Sequence, residues 1–105
     1  MFGQKEQLTI AGFLISQKEV VTNEKVLVYE GDNAVASTIT NNVGFFQISL
    51  EYDKLYHIVI GSVRYKMKWV AVSTYIPVDE RDIHLTNLYI NIDPRKENTE
   101  YAIVK

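Results

Sequence analysis

Between Ser37 and Leu50 the chain reads Ser-Thr-Ile-Thr-Asn-Asn-Val-Gly-Phe-Phe-Gln-Ile-Ser-Leu, and this stretch limits what the rest can become. Phe46, Ile48 and Leu50 recur with a period of two, and Gln47 and Ser49 fall between them. Such alternation is the mark of a half-buried β-strand, apolar on one face and wet on the other. Ahead of it, Asn41, Asn42, Val43 and Gly44 form a polar knot, with asparagine and glycine the residues that best tolerate a left-handed backbone. The expected product is a β-hairpin with Gly44 at positive φ.

The same period continues along the chain. Leu8–Ser16 is apolar on both parities, Leu8, Ile10, Gly12 and Leu14 on one and Ala11, Phe13 and Ile15 on the other, so both of its faces need cover. Gln17–Thr22 reads as a connection. Glu24–Glu30 forms a second strand, closed by a turn at Gly31-Asp32-Asn33, and Ala34–Thr40 leads into the central stretch. Tyr52-Asp53-Lys54 turns the chain into Leu55–Gly61, where Tyr56, Ile58 and Ile60 share a face. Tyr65–Thr74 is a further strand, and Pro77 then opens a single helical turn through Asp82, with acids near its start. Leu85–Asp93 closes the series, with Leu88, Ile90 and Ile92 in step and Asp93-Pro94 as its stop. Seven strands with frequent turns and no sustained helical period predict an all-β fold, a seven-stranded antiparallel sandwich of prealbumin or immunoglobulin-like Greek-key type.

Chemistry is limited by what is missing. The 105 residues contain no cysteine, which excludes a disulfide framework, a zinc ribbon, an iron–sulfur site and a thiol nucleophile. Eleven basic residues against thirteen acidic ones, a net charge of −2, leave no footprint for nucleic acid or an anionic membrane. No apolar run reaches the length of a membrane span. The expected organisation is an N-terminal extension over 1–7, the sandwich over 8–93 and a charged tail over 94–105. Phe2-Gly3-Gln4 has the small-residue pattern of the end of an export signal, so the chain reads either as a cytosolic start or as a periplasmic or secreted protein whose signal has been removed.

From Ile10 to Ile92 the chain resembles the carboxypeptidase-regulatory-like domains, transthyretin-like sandwiches related to the collagen-adhesin B-type repeats. The resemblance rests on Ile10-x-Gly12-x-Leu14, Val26-x-Val28-Tyr29 before a glycine turn, Thr38-x-Thr40-Asn41-Asn42-x-Gly44-x-Phe46-x-Ile48, and Tyr56-x-Ile58-x-Ile60. It departs at Thr22-Asn23-Glu24, where the family has Pro-Gly, at Asn41 and Asn42, where acids are usual, and at Arg64-Tyr65, where Gly-Tyr is usual. The resemblance implies a structural, anchoring or interaction module rather than an enzyme.

The residues themselves agree on no catalytic site. His57 faces away from the Ile58 side of its strand and His84 sits in a loop, and neither has ligand spacing around it for a metal. Ser37, Ser49, Ser62 and Ser73 lack a strand-to-helix elbow and a His–acid pair. Asp79, Glu80 and Asp82 do not follow the calcium-loop spacing. The tail from Asn98 to Lys105 lacks the terminal tetrapeptide of the transthyretin-related hydrolases, and no early-strand lysine suits an isopeptide bond; Lys25 with Asn87 or Asn91 is a remote pairing. No cofactor, catalytic residue or metal site is expected.

What stands out is apolar residues on the wrong parity. If Val70 and Val72 point inward, Trp69 and Met67 point out, and Phe13, Ile15, Leu27, Tyr29 and Tyr89 also lie opposite the inferred core positions. These seven residues are the expected interaction surface; the alternatives are the opposite register, which buries Met67, Trp69 and Ala71, and cover of Trp69 and Phe13 by the termini or the Pro77 loop. The expected function is a non-catalytic module of a bacterial envelope or secreted protein, working as a spacer or by contact with another protein or domain, weak homo-oligomers included. The alternative is a carbohydrate-binding domain in which Trp69 stacks on sugar with Tyr29 or Tyr89.

Overall fold

The computed structural model describes residues 7–81 and 86–95. Among them are eight strands, in chain order β1 (Gln7–Ser16), β2 (Glu19–Val20), β3 (Lys25–Glu30), β4 (Asn33–Ile39), β5 (Phe45–Glu51), β6 (Leu55–Ile60), β7 (Lys68–Ser73) and β8 (Thr86–Asn91). They form two sheets packed face to face. In the first, β1 is flanked by β5 and β8, with β2 folded back onto its end; the second has the order β4-β3-β6-β7. The all-β sandwich is as expected. Its strand set differs in that β2 is an additional strand and β8 runs parallel to β1, Ile10 beside Thr86 through Ile15 beside Asn91.

The extra strand arises from a two-residue turn at Gln17 and Lys18, both at positive φ (51° and 71°), which returns Val20 to Ile15. Positive φ at both central residues gives the turn that matches strand twist. Neither residue is Gly or Asn, so this turn leaves no compositional signal.

The central stretch is not a hairpin. β4 pairs with β3 in the second sheet and β5 pairs with β1 in the first, so residues 40–44 form an arch between sheets. Thr40 keeps the second sheet's ladder to its last rung: its N–H donates to the Glu24 carbonyl and its Oγ1 accepts from the Glu24 N–H. Asn41 then turns the chain, its Oδ1 accepting from the N–H groups of Val43 and Phe45 (2.9 and 3.0 Å). Gly44 has φ +77°, as expected, and its carbonyl accepts from the Leu14 N–H. Period-two alternation reports which face of a strand is buried and is silent about which strand it pairs with.

Inward positions build one core. Leu8, Ile10 and Leu14 of β1, Phe46, Ile48 and Leu50 of β5, and Ile90 of β8 meet Val26 and Val28 of β3, Tyr56, Ile58 and Ile60 of β6, and Val72 of β7. Gly12 sits among them without a side chain because the Phe46 ring occupies the space where a Cβ would lie. β7 is shorter than the expected Tyr65–Thr74 strand. Its register sets Val70 opposite Ile58 and Val72 opposite Tyr56, on the core side, and Trp69 opposite Val59 on the outside. Residues before Lys68 belong to a loop clasped to the chain after β8: Lys66 N–H donates to Asp93 O, Arg95 N–H to Arg64 O, and Arg95 Nε to Ser62 O. Pro77 precedes a single 3-10 turn, Val78–Glu80. His84 and Asp82 lie outside the described residues.

Candidate interaction surfaces

The outer face of the second sheet is built from alternate residues of four strands. Ladder registers give one row of Ser37, Leu27, Val59 and Trp69, and a second of Ala34, Tyr29, His57 and Ala71. Flanking them are Ile39 beside Lys25 and Leu55 beside Ser73. Trp69 is 57% exposed and its ring lies 6.1 Å from both Tyr29, tilted by 34°, and His57, nearly edge-on at 67°. Val59 is only 7% exposed although it points outward, since its row neighbours Leu27 and Trp69 flank it. Ile39, Leu55 and Met67 are also exposed. No carboxylate occupies an outward strand position here among the described residues; Lys25 and His57 are the only titratable groups besides the Tyr29 phenol. This is a broad, nearly uncharged apolar face.

The first sheet's outer face is different. Its aromatic row is Phe45, Phe13 and Tyr89, with Phe13 stacked on Tyr89 (5.6 Å between centroids, planes 11° apart) and tilted against Phe45 at 5.2 Å. On either side lie amides: Gln47 and Asn87 flank Ala11, and Asn91 lies beside Ile15, which Val20 of β2 meets from the other side.

The seven residues expected to form one surface are therefore divided between opposite sides of the sandwich. Phe13, Ile15 and Tyr89 are on the first sheet; Leu27, Tyr29 and Trp69 are on the second, with Met67 exposed in the loop entering β7. Trp69 with Tyr89 as a sugar-stacking pair is ruled out by this division, and Trp69 with Tyr29 has tilted rings and no flanking amide. Lys25 cannot reach Asn87 or Asn91, which project from the other sheet.

Ionic groups serve the scaffold. Arg64 stands where the resembling family has glycine, yet its φ is not positive; its guanidinium reaches Glu24 Oε1 at 2.9 Å. Glu24 is almost fully buried, and its Oε2 has no hydrogen-bond partner. Lys68 Nζ crosses between sheets to donate to the Asn91 carbonyl at 2.7 Å, the snorkelling expected of a lysine at the sandwich rim. Arg81 lies over the Tyr52 ring and against Asp53. On the β4–β5 side a cleft of about 270 Å³ opens between the sheets, lined by Glu30, Glu51, Lys54 and Tyr56 among others. Lys54 donates to Glu30 at 2.9 Å, and that hydrogen bond, with Glu30's charge, raises the lysine above its ordinary value of 10.5. Among the described residues no three His, Cys, Asp or Glu side chains gather as a metal would need, and no helix is long and apolar enough to cross a membrane. The sequence reading missed β2, the Glu24–Arg64 pair and the amides around Tyr89. Only the last left a signal, the period-two run Asn87-x-Tyr89-x-Asn91.

No family model matches the chain, and no curated protein does. Solved structures do. A DUF3823 family protein from Parabacteroides merdae is 12% identical with a TM-score of 0.56, over 87% of this chain and 47% of that one. The shaft pilin SpaA from Lactobacillus rhamnosus GG is 10% identical with a TM-score of 0.57, over 89% and 51%. The group B streptococcus pilus 2b backbone protein is 13% identical with a TM-score of 0.54, over 90% and 43%. The chain spans about half the length of these structures or less. At such identities the likeness is one of fold: this chain shares the β-sandwich of bacterial pilus-subunit domains and of DUF3823 proteins.

Proposed function

We propose that this chain is a non-catalytic, structural β-sandwich module of a bacterial envelope or secreted protein, and that it works by protein–protein contact through the outer face of its second sheet. The observation that carries the reading is the pair of apolar rows around Trp69, exposed by 57% in a strand whose other face is in the core. A continuous apolar face with charged groups confined to its margin is what a protein contact requires, and an inert spacer has no use for one. Tyrosine and tryptophan at its centre are the residues that most often anchor such contacts. The fold likeness to pilus shaft and backbone proteins supports a surface-exposed, assembled setting, and the carboxypeptidase-regulatory-like resemblance points to the same class of module.

The test pairs stability with association. Trp69→Ala should cost about 1 kcal/mol or less, because the ring is more than half exposed and loses only its contacts with Tyr29, His57 and Val59. Sedimentation velocity over a concentration series should show the wild type associating more strongly than this variant. A cost of about 3–5 kcal/mol would instead make Trp69 a core residue and remove the proposed face.

A further inference from the structure

Strand β8 carries a second surface of different chemistry. Asn87, Tyr89 and Asn91 alternate with Leu88 and Ile90, so all three project from the outer face of the first sheet at a spacing of about 7 Å. Tyr89 is 67% exposed. One face of its ring rests on Phe13, which is held in turn by Phe45. β8 pairs with β1 on one side only, so the opposite face of the ring is unopposed among the described residues. The end of the strand is anchored by Lys68 Nζ on the Asn91 carbonyl. No formal charge occupies the three rows around the ring: Gln47, Ala11 and Asn87; Phe45, Phe13 and Tyr89; Val20, Ile15 and Asn91.

We propose that this Asn–Tyr–Asn ladder binds a neutral glycan chain. A pyranose offers a face of C–H groups, which suits the open side of the tyrosine ring, and a rim of hydroxyls that both donate and accept. Each carboxamide also does both, so Asn87 and Asn91 match that rim from either side of the ring. The alternatives fit less well. An apolar protein surface would bury two carboxamides without partners, at a cost in free energy. Nucleic acid binding draws on Lys and Arg against phosphate, and none projects from these rows. The apolar face around Trp69 lacks the amides altogether, so the two sides of the sandwich are suited to different partners.

Affinity electrophoresis in native gels tests this directly, with soluble β-glucan, xylan and galactomannan each cast into the gel and titrated. Wild type is retarded by at least one of the three. Tyr89→Ala, which removes the stacking ring, binds that polysaccharide about tenfold more weakly or worse, the scale of a lost ring-stacking contact. Asn87→Ala with Asn91→Ala also lowers the affinity, Tyr89→Phe keeps most of it, and Trp69→Ala on the opposite side leaves it unchanged. Thermal melts of the same samples establish that each variant is folded. Wild type unretarded by all three polysaccharides overturns the proposal, as does equal retardation of folded Tyr89→Ala. Because Trp69→Ala reads the protein-contact face and Tyr89→Ala reads this one, either reading can fail while the other stands.

Discussion

At Gly44 the backbone turns with φ +77°, and a Cβ there would lie 2.9 Å from the Leu14 carbonyl oxygen and 3.1 Å from the Val20 Cβ. The first contact is closer than a Cβ tolerates, the second would force Val20 to give by a few tenths of an ångström, and the φ is one that β-branched residues avoid. Gly44→Val should therefore cost about 2–4 kcal/mol, read as a lower urea midpoint at unchanged slope. Positive φ at Gly44 was legible in Asn41-Asn42-Val43-Gly44; the clash with β1 was not, because nothing local says which strand passes beside the turn. Glu24 and Arg64 show the same limit. They are 40 residues apart, and only the fold brings the guanidinium to a carboxylate that is 2% exposed. Arg64→Ala would leave that carboxylate buried without its counter-ion, at a cost of about 1–3 kcal/mol, less than for a fully buried pair because Arg64 is itself half exposed. If Glu24 is the cause, the double variant Glu24→Gln with Arg64→Ala recovers part of the loss in the same denaturation experiment.

Among the elements, strand existence and inner faces followed from period-two alternation, and Tyr56, Ile58 and Ile60 on β6 are buried as that pattern requires. Partner choice did not follow. The segment from Ser37 to Leu50 has the composition of a hairpin and acts as an arch because each arm finds its hydrogen-bond partners in a different sheet. β7 begins at Lys68 rather than Tyr65, since Tyr65 instead bridges to Pro94 in the clasp behind β8. The two flanks of the sandwich differ as a result: β7 and β8 are stitched by that clasp and by Lys68, and β4 and β5 are joined by the arch beside the cleft holding Lys54. The Lys54–Glu30 bond has a pH signature. Folding raises the lysine above 10.5, so its contribution to stability is present below that pH and disappears as pH climbs through the folded-state value. Urea midpoints of wild type and Lys54→Met should differ at neutral pH and converge in strong alkali.

For the whole molecule, the fold class was legible and the arrangement of its surfaces was not. Parity identified seven outward apolar residues, but parity is defined strand by strand and does not distinguish the outside of one sheet from the outside of the other. Only the sheet assignment separates Phe13, Ile15 and Tyr89 from Leu27, Tyr29 and Trp69. The same topology sets the folding speed. Ile10 pairs with Thr86 and Leu8 with Leu50, and closing such long loops before their contacts form is slow. Refolding followed by circular dichroism in a stopped-flow instrument should take milliseconds to seconds, and a microsecond phase carrying the full amplitude would contradict these pairings. The parallel placement of β1 and β8 also decides how the module bears load. Tension applied through Gln7 and Asn91 draws the two strands past each other lengthwise, so the whole β1–β8 ladder resists at once instead of opening rung by rung. A domain strung along a stretched polypeptide would thus hold its shape by the pairing of β1 with β8, and the force at which it yields would be set in that one seam.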